Sequence, residues 1–144
     1  MKKNIQTEEI IEAPVNRVWQ VLTDFKNHPR WNPFITHISG ERREGGKLKV
    51  SINPPEGKGM TFRPVVLKNI PEKEFRWKGT LGIKGLFDGE HYFLLEEVSP
   101  ESTRFVHGEK FSGLLVGMMG DMFDKTQSGF NLMNKALKKE CEKV

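Results

Sequence analysis

Hydrophobic residues along this chain change period three times, and each change marks an element. Ile5, Ile10 and Ile11 sit among polar residues from Asn4 to Ala13, an imperfect alternation that predicts a first strand. Pro14 follows, at a position suited to opening a helix because its missing N–H costs nothing there. Val15, Val18, Trp19 and Leu22 then recur at i, i+3, i+4 and i+7, which predicts an amphipathic helix ending near Asp24. Pro29 and Pro33 forbid a long regular helix in the stretch after it and favour short turns, so a connector presents Trp31.

Short segments at hairpin spacing come next, over 34–43, 46–52, 59–69, 73–81, 87–98 and 102–112. Their separators are Glu44-Gly45-Gly46, Asn53-Pro54-Pro55-Glu56-Gly57, Ile70-Pro71-Glu72, Gly82-Ile83-Lys84-Gly85 and Ser99-Pro100-Glu101. Runs joined this way predict six consecutive antiparallel strands. From Gly113 onward Leu115, Met119, Met122, Thr126, Phe130, Met133 and Leu137 step by three or four, the stripe of one long helix of roughly 25–30 residues. The predicted architecture is α+β: a curved seven-stranded antiparallel sheet wrapped around the C-terminal helix, with short helices after the first strand. A straight helix does not lie flush on a curved sheet along its whole length, so a cavity is expected between them, with the Trp31 turn at its mouth.

Length and composition narrow the function. At 144 residues the chain fits one domain, residues 1–144. Ten Phe and three Trp concentrate buried area in a few side chains and predict an aromatic interior. Cys141 is the sole cysteine, which removes intrachain disulfides, CxxC redox pairs and Cys-based zinc. The net charge of +4 is spread out. Residues 1–57 hold nine Lys/Arg against seven Asp/Glu, residues 58–90 seven against four, and residues 91–144 seven against eight. No block is basic enough to predict a nucleic-acid partner. With neither a secretory leader nor a run of 18 apolar residues, the expectation is a cytoplasmic protein with no integral membrane segment. GxSxG and Lys-Ser/Thr-terminated glycine loops are absent as well, which removes serine-nucleophile and ATP-driven chemistry.

Two sequence blocks carry a family resemblance. Ile11-Glu12-Ala13-Pro14-Val15-Asn16-Arg17-Val18-Trp19, the Leu22-to-Phe25 helix end and His28-Pro29-Arg30-Trp31-Asn32-Pro33-Phe34 resemble the opening of START-like helix-grip proteins, the SRPBCC superfamily. Phe75-Arg76-Trp77, Gly85 to His91 and Glu109 to Leu115 are similar to its small bacterial polyketide cyclase/dehydrase-like branch. The resemblance implies a cavity for a lipid, polyketide, sterol or aromatic molecule. In some members that cavity catalyses cyclisation or dehydration, and chaperone-activator relatives act through a partner protein.

Candidate chemistry follows from strand alternation. His91, Phe93 and Leu95 share one face, and Phe105, His107, Glu109 and Phe111 share another. Phe and Leu mark these faces as inward, so His91, His107 and Glu109 are the candidate acid–base groups; structural polar groups at the sheet's ends are the alternative. A buried carboxyl has its pKa raised by desolvation unless paired, and a nearby imidazole forms the kind of couple that supports proton abstraction beside a carbonyl. Alternation does not bring the three within metal-ligand distance of one another, so neither a metal site nor a cofactor is expected. His28, in a Pro-flanked turn, is expected to be solvated, and His37 is a weaker candidate. Trp31, Phe34, Trp77, Phe93, Met119, Met122 and Phe130 are the expected ligand-lining residues, aromatic and Met side chains serving equally as core. The expected partner is a small hydrophobic ligand, and a homodimer is compatible with the sequence.

Overall fold

The computed structural model describes residues 2–80 and 85–143. Its elements are β1 (Lys2–Ile11), α1 (Val15–Thr23), a 3-10 turn (Phe25–Asn27), α2 (His28–Trp31), β2 (Ile35–Gly40), β3 (Leu48–Ile52), β4 (Met60–Phe62), β5 (Val65–Ile70), β6 (Glu74–Thr80), β7 (Asp88–Ser99), β8 (Ser102–Ser112), a second 3-10 turn (Val116–Met118) and α3 (Gly120–Cys141). Five strands form an antiparallel sheet in the order β1-β8-β7-β6-β5, and β2-β3-β4 form another. The fold is α+β and of helix-grip type, with α3 packed on the sheet's inner face.

Two expectations change. The single strand expected over 59–69 is broken into β4 and β5, because Pro64 lacks a ladder donor and restricts the residue before it. Among the described residues the expected seven-stranded sheet is therefore eight strands in two sheets. A bridge between Lys47 and Val65 and the Gly45 N–H donating to the Val66 carbonyl (2.8 Å) tie the two together. The expected turn at Gly82–Gly85 and the last residue of the 73–81 strand fall largely outside the described residues.

The second change is the start of α3, at Gly120 rather than near Gly113. Gly113 lies at φ +121° against the Leu86 carbonyl, a conformation that favours glycine. The Leu114 and Leu115 N–H groups donate to the carbonyls of Gly85 and Leu86. With Gly113 held in that non-helical conformation, and Gly117 and Gly120 weakening helix propensity, residues 113–119 form a turn. Leu115 and Met118 stay exposed.

The core is as aromatic as the composition implies: Phe34, Phe75, Trp77, Phe93, Phe105 and Phe130 are all at most 2% exposed. Gly129 lets α3 approach closely, since a Cβ there would collide with the Phe34 ring. No helix among the described residues is long and apolar enough to cross a membrane.

Candidate functional site

Strand register assembles the site. β7 and β8 place His91 opposite Glu109 and Phe93 opposite His107, while β1 and β8 place Thr7 opposite His107. These positions share the inner face, so the diagonal neighbours His91 and His107 come into contact, Nε2 to Nε2 at 2.8 Å. His91 Nδ1 lies 3.4 Å from Glu109 Oε1. Facing strands thus bring together the groups that alternation along single strands appeared to hold apart.

Asn134 of α3 and Thr7 of β1 complete the chain. Thr7 Oγ1 donates to the His107 carbonyl (2.9 Å), Asn134 Nδ2 donates to Thr7 Oγ1 (2.8 Å), and Asn134 Oδ1 meets His107 Nδ1 (2.9 Å). Aromatic rings enclose both imidazoles. Phe130 stacks on His107 at 3.9 Å, and Trp77 stacks on His91 at 4.8 Å.

In that apolar enclosure burial opposes charge. It pushes His91 down to about 3 and raises Glu109 to about 8. His107 falls well below its ordinary value through burial and the neighbouring His91, with Asn134 acting in the opposite direction. At neutral pH the imidazoles are uncharged and the carboxyl keeps its proton.

Glu109 and His91 reach a cavity of about 60 Å³, room for roughly four to six water-sized groups. Its other walls are Phe34, Ile52, Met60, Phe62, Gly79, Thr80, Phe87, Gly89, Phe111, Met122 and Thr126. Ile52, Met60, Phe62, Thr80 and Met122 are only partly buried or exposed, so the cavity reaches the surface along that rim. Gly89 leaves space for the carboxyl: a Cβ there would collide with Glu109 Oε2.

Of the expected lining residues, Phe34 and Met122 border this cavity. Trp77, Phe93 and Phe130 lie behind it, packed around the two imidazoles. Met119 is half-buried against the core. Trp31 is also away from the cavity, contrary to the expectation that its turn forms the mouth. Arg30 pairs with Glu140 near the end of α3 (2.5 Å), fourteen residues and so about 20 Å of helix from Thr126.

His28 is another correction. It is 1% exposed, with Nε2 donating to the Leu22 carbonyl (2.7 Å) and Nδ1 accepting from Asn32 Nδ2 (3.1 Å). His37 is exposed, beside Ser39. No group of three or more His, Cys, Asp or Glu among the described residues is arranged to hold a metal ion.

Sequence reasoning missed Thr7, Asn134 and Gly89. Signals existed for the first two: Thr7 alternates with the buried Ile5, and Asn134 follows Phe130 by four on the buried stripe of α3. Gly89 owes its role to a diagonal approach that no periodicity carries.

The family described as polyketide cyclase / dehydrase and lipid transport matches residues 2–142. A START superfamily protein from Mycobacterium smegmatis superposes with a TM-score of 0.77 at 17% identity, over 96% of this chain and 97% of that one. The Zhui aromatase/cyclase from Streptomyces sp. R1128 gives 0.77 at 14% identity, over 99% and 94%. Truncated norcoclaurine synthase from Thalictrum flavum gives 0.76 at 13% identity, over 100% and 96%. At these identities the likeness is one of fold. No curated protein matches this chain.

Proposed function

This chain belongs to the polyketide cyclase / dehydrase and lipid transport family, and from that premise we propose that it binds a small hydrophobic molecule in the cavity between β7, β8, the β3–β4 hairpin and α3. One observation carries the reading: a largely apolar, surface-reaching wall, with the hydroxyls of Thr80 and Thr126, brings a carboxyl and an imidazole together at one place, Glu109 and His91. Apolar surface supplies the affinity and the polar pair fixes orientation. Because the enclosed space is small, the ligand inserts a ring-sized head and leaves its remainder along the rim of Ile52, Met60 and Phe62.

Titration with 2-naphthol followed by Trp emission tests this, since Trp77 stacks on His91 at the cavity wall. Saturable quenching is expected in the wild type and its loss in Met122→Trp, which fills the cavity from a partly buried position. Absence of saturation, or an equal response in both proteins, overturns the reading.

The contact between Glu109 and His91 supports a second reading, acid–base catalysis of cyclisation or dehydration. In it Glu109 Oε2 takes a proton from the ligand while Oε1 releases its own to His91 Nδ1, so the carboxyl stays neutral throughout. Glu109→Gln then abolishes turnover while binding stays within a few-fold. Equal loss of both leaves only the receptor role.

A further inference from the structure

Hydrogen-bond logic fixes where each proton in the buried chain sits as far as His91, starting from the chain's one unambiguous end. A carbonyl only accepts, so Thr7 must spend its hydroxyl proton on the His107 carbonyl (2.9 Å). Thr7 Oγ1 then has only lone pairs to offer Asn134, which must present its amide N–H₂ there and its Oδ1 to His107. An amide oxygen only accepts, so His107 carries its proton on Nδ1 and its Nε2 is bare. Nε2 of His91, at 2.8 Å, must therefore be the protonated nitrogen. That leaves His91 Nδ1 as a lone pair facing Glu109 Oε1 at 3.4 Å. Two facing lone pairs repel, so the Glu109 proton belongs on Oε1, directed at His91. Moving this proton across to Nδ1 changes the charges but not the outcome for the other carboxyl oxygen.

We propose that the chain from Thr7 to Glu109 sets the ligand class: it holds Glu109 Oε2 as a hydrogen-bond acceptor beside Gly89, so the cavity selects apolar molecules bearing a hydroxyl over matched ethers or ketones. Oε2 lies where a Gly89 side chain would be, and both residues line the cavity. Thr7 and Asn134 touch no ligand; they are positioning residues, acting through the two imidazole tautomers. At Glu109 Oε2 a ketone or ether brings lone pairs against a lone pair, whereas a hydroxyl brings the missing proton. The selectivity rests on the receptor reading above, while the proton arrangement does not, and the experiment separates them.

The experiment has two arms. In the first, 2-naphthol and its methyl ether, 2-methoxynaphthalene, are titrated into the full chain. The expected result is about tenfold weaker binding of the ether, the equivalent of one good hydrogen bond. Glu109→Gln keeps this preference, because its amide Nε2–H₂ faces His91 and its carbonyl faces the cavity; Glu109→Leu loses it. Asn134→Leu, which releases the tautomers, narrows it. An ether bound as tightly as the naphthol in wild type overturns the selectivity, and binding of neither overturns the selectivity and the receptor reading together.

In the second arm, ¹⁵N NMR of the ring nitrogens in the wild-type protein, which needs no variant to fold, reads the protons directly. Protonated Nδ1 with bare Nε2 on His107, and protonated Nε2 on His91, are expected. Bare Nε2 with protonated Nδ1 on His91 overturns the proton arrangement whatever the ligands do.

Discussion

Two buried histidine–asparagine pairs are built from the same parts and differ in where their hydrogen bonds end. His28 and Asn32 close on themselves within a few residues. His28 bonds the Leu22 carbonyl, and Asn32 Oδ1 accepts from the N–H groups of Phe34 and Ile35 at 2.9 Å each. Every polar atom in that set is answered locally, and its work is to hold the turn that delivers Phe34 to the core. His107 and Asn134 sit 27 residues apart in sequence and draw in Thr7 and His91, and their chain does not close. It ends on Glu109 at a cavity wall. A buried polar network satisfied on every side is structure, and one whose last member faces an apolar cavity is poised for a ligand.

The sharpest way to break this contrast is pH. The unfolded chain releases the Glu109 proton near pH 4.5, whereas the folded chain holds it to about 8. Stability therefore falls as pH rises through that window, by on the order of 5 kcal/mol. Glu109→Gln removes the fall, so urea denaturation at pH 9 should find the variant more stable by about that amount and little changed at pH 4. A parallel pH dependence in the two proteins would exclude a desolvated carboxyl. On the acid side His91 works in the opposite sense. Its folded-state value near 3 lies below the ordinary 6.5, so stability is lost as pH falls between those values, and His91→Gln should make that limb shallower while leaving the shares of His107 and His28.

Asn32→Ala comes next. It strands the N–H groups of Phe34 and Ile35 and the Nδ1 of His28, at about 1–3 kcal/mol for each group left unpaired in the interior. Chemical denaturation should show the loss, while the 2-naphthol affinity of the remaining folded protein stays near wild type, as a purely structural set requires. Asn134→Leu strands fewer groups, His107 Nδ1–H and a lone pair of Thr7 Oγ1, whose hydroxyl keeps its bond to the His107 carbonyl, and should cost about 2 kcal/mol. Unlike Asn32→Ala, it should also change ligand preference. If both variants alter stability and binding in the same proportion, the distinction between the two pairs is lost.

Gly89→Ala has the smallest expected effect on stability, below about 1 kcal/mol, because the Glu109 carboxyl it displaces ends a flexible side chain. Its effect on the site should be out of proportion, with affinity for 2-naphthol reduced about tenfold and thermal stability nearly unchanged. A melting temperature and one titration settle it.

The hydrophobic pattern by itself determined the order and type of almost every element. Period two over β7 and β8 and period three-to-four over Phe130, Met133 and Leu137 are local consequences of backbone geometry, readable wherever one face must leave water. The same alternation turned His91, His107 and Glu109 inward. Local pattern failed where the backbone met a distant segment: residues 113–119 have the spacing of a helix, yet Gly113 is held at φ +121° against the Leu86 carbonyl, which a helix cannot accommodate. His28 looked solvated for the same reason, since its partners depend on how a turn folds back on the end of α1. Only tertiary structure decided that two imidazoles meet across neighbouring strands, that Asn134 from the far end of the chain sets their protons, and that the cavity opens beside β4 rather than beside Trp31. Register between strands and the approach of a helix to a sheet are set by summed packing over the whole core, and no single segment encodes them.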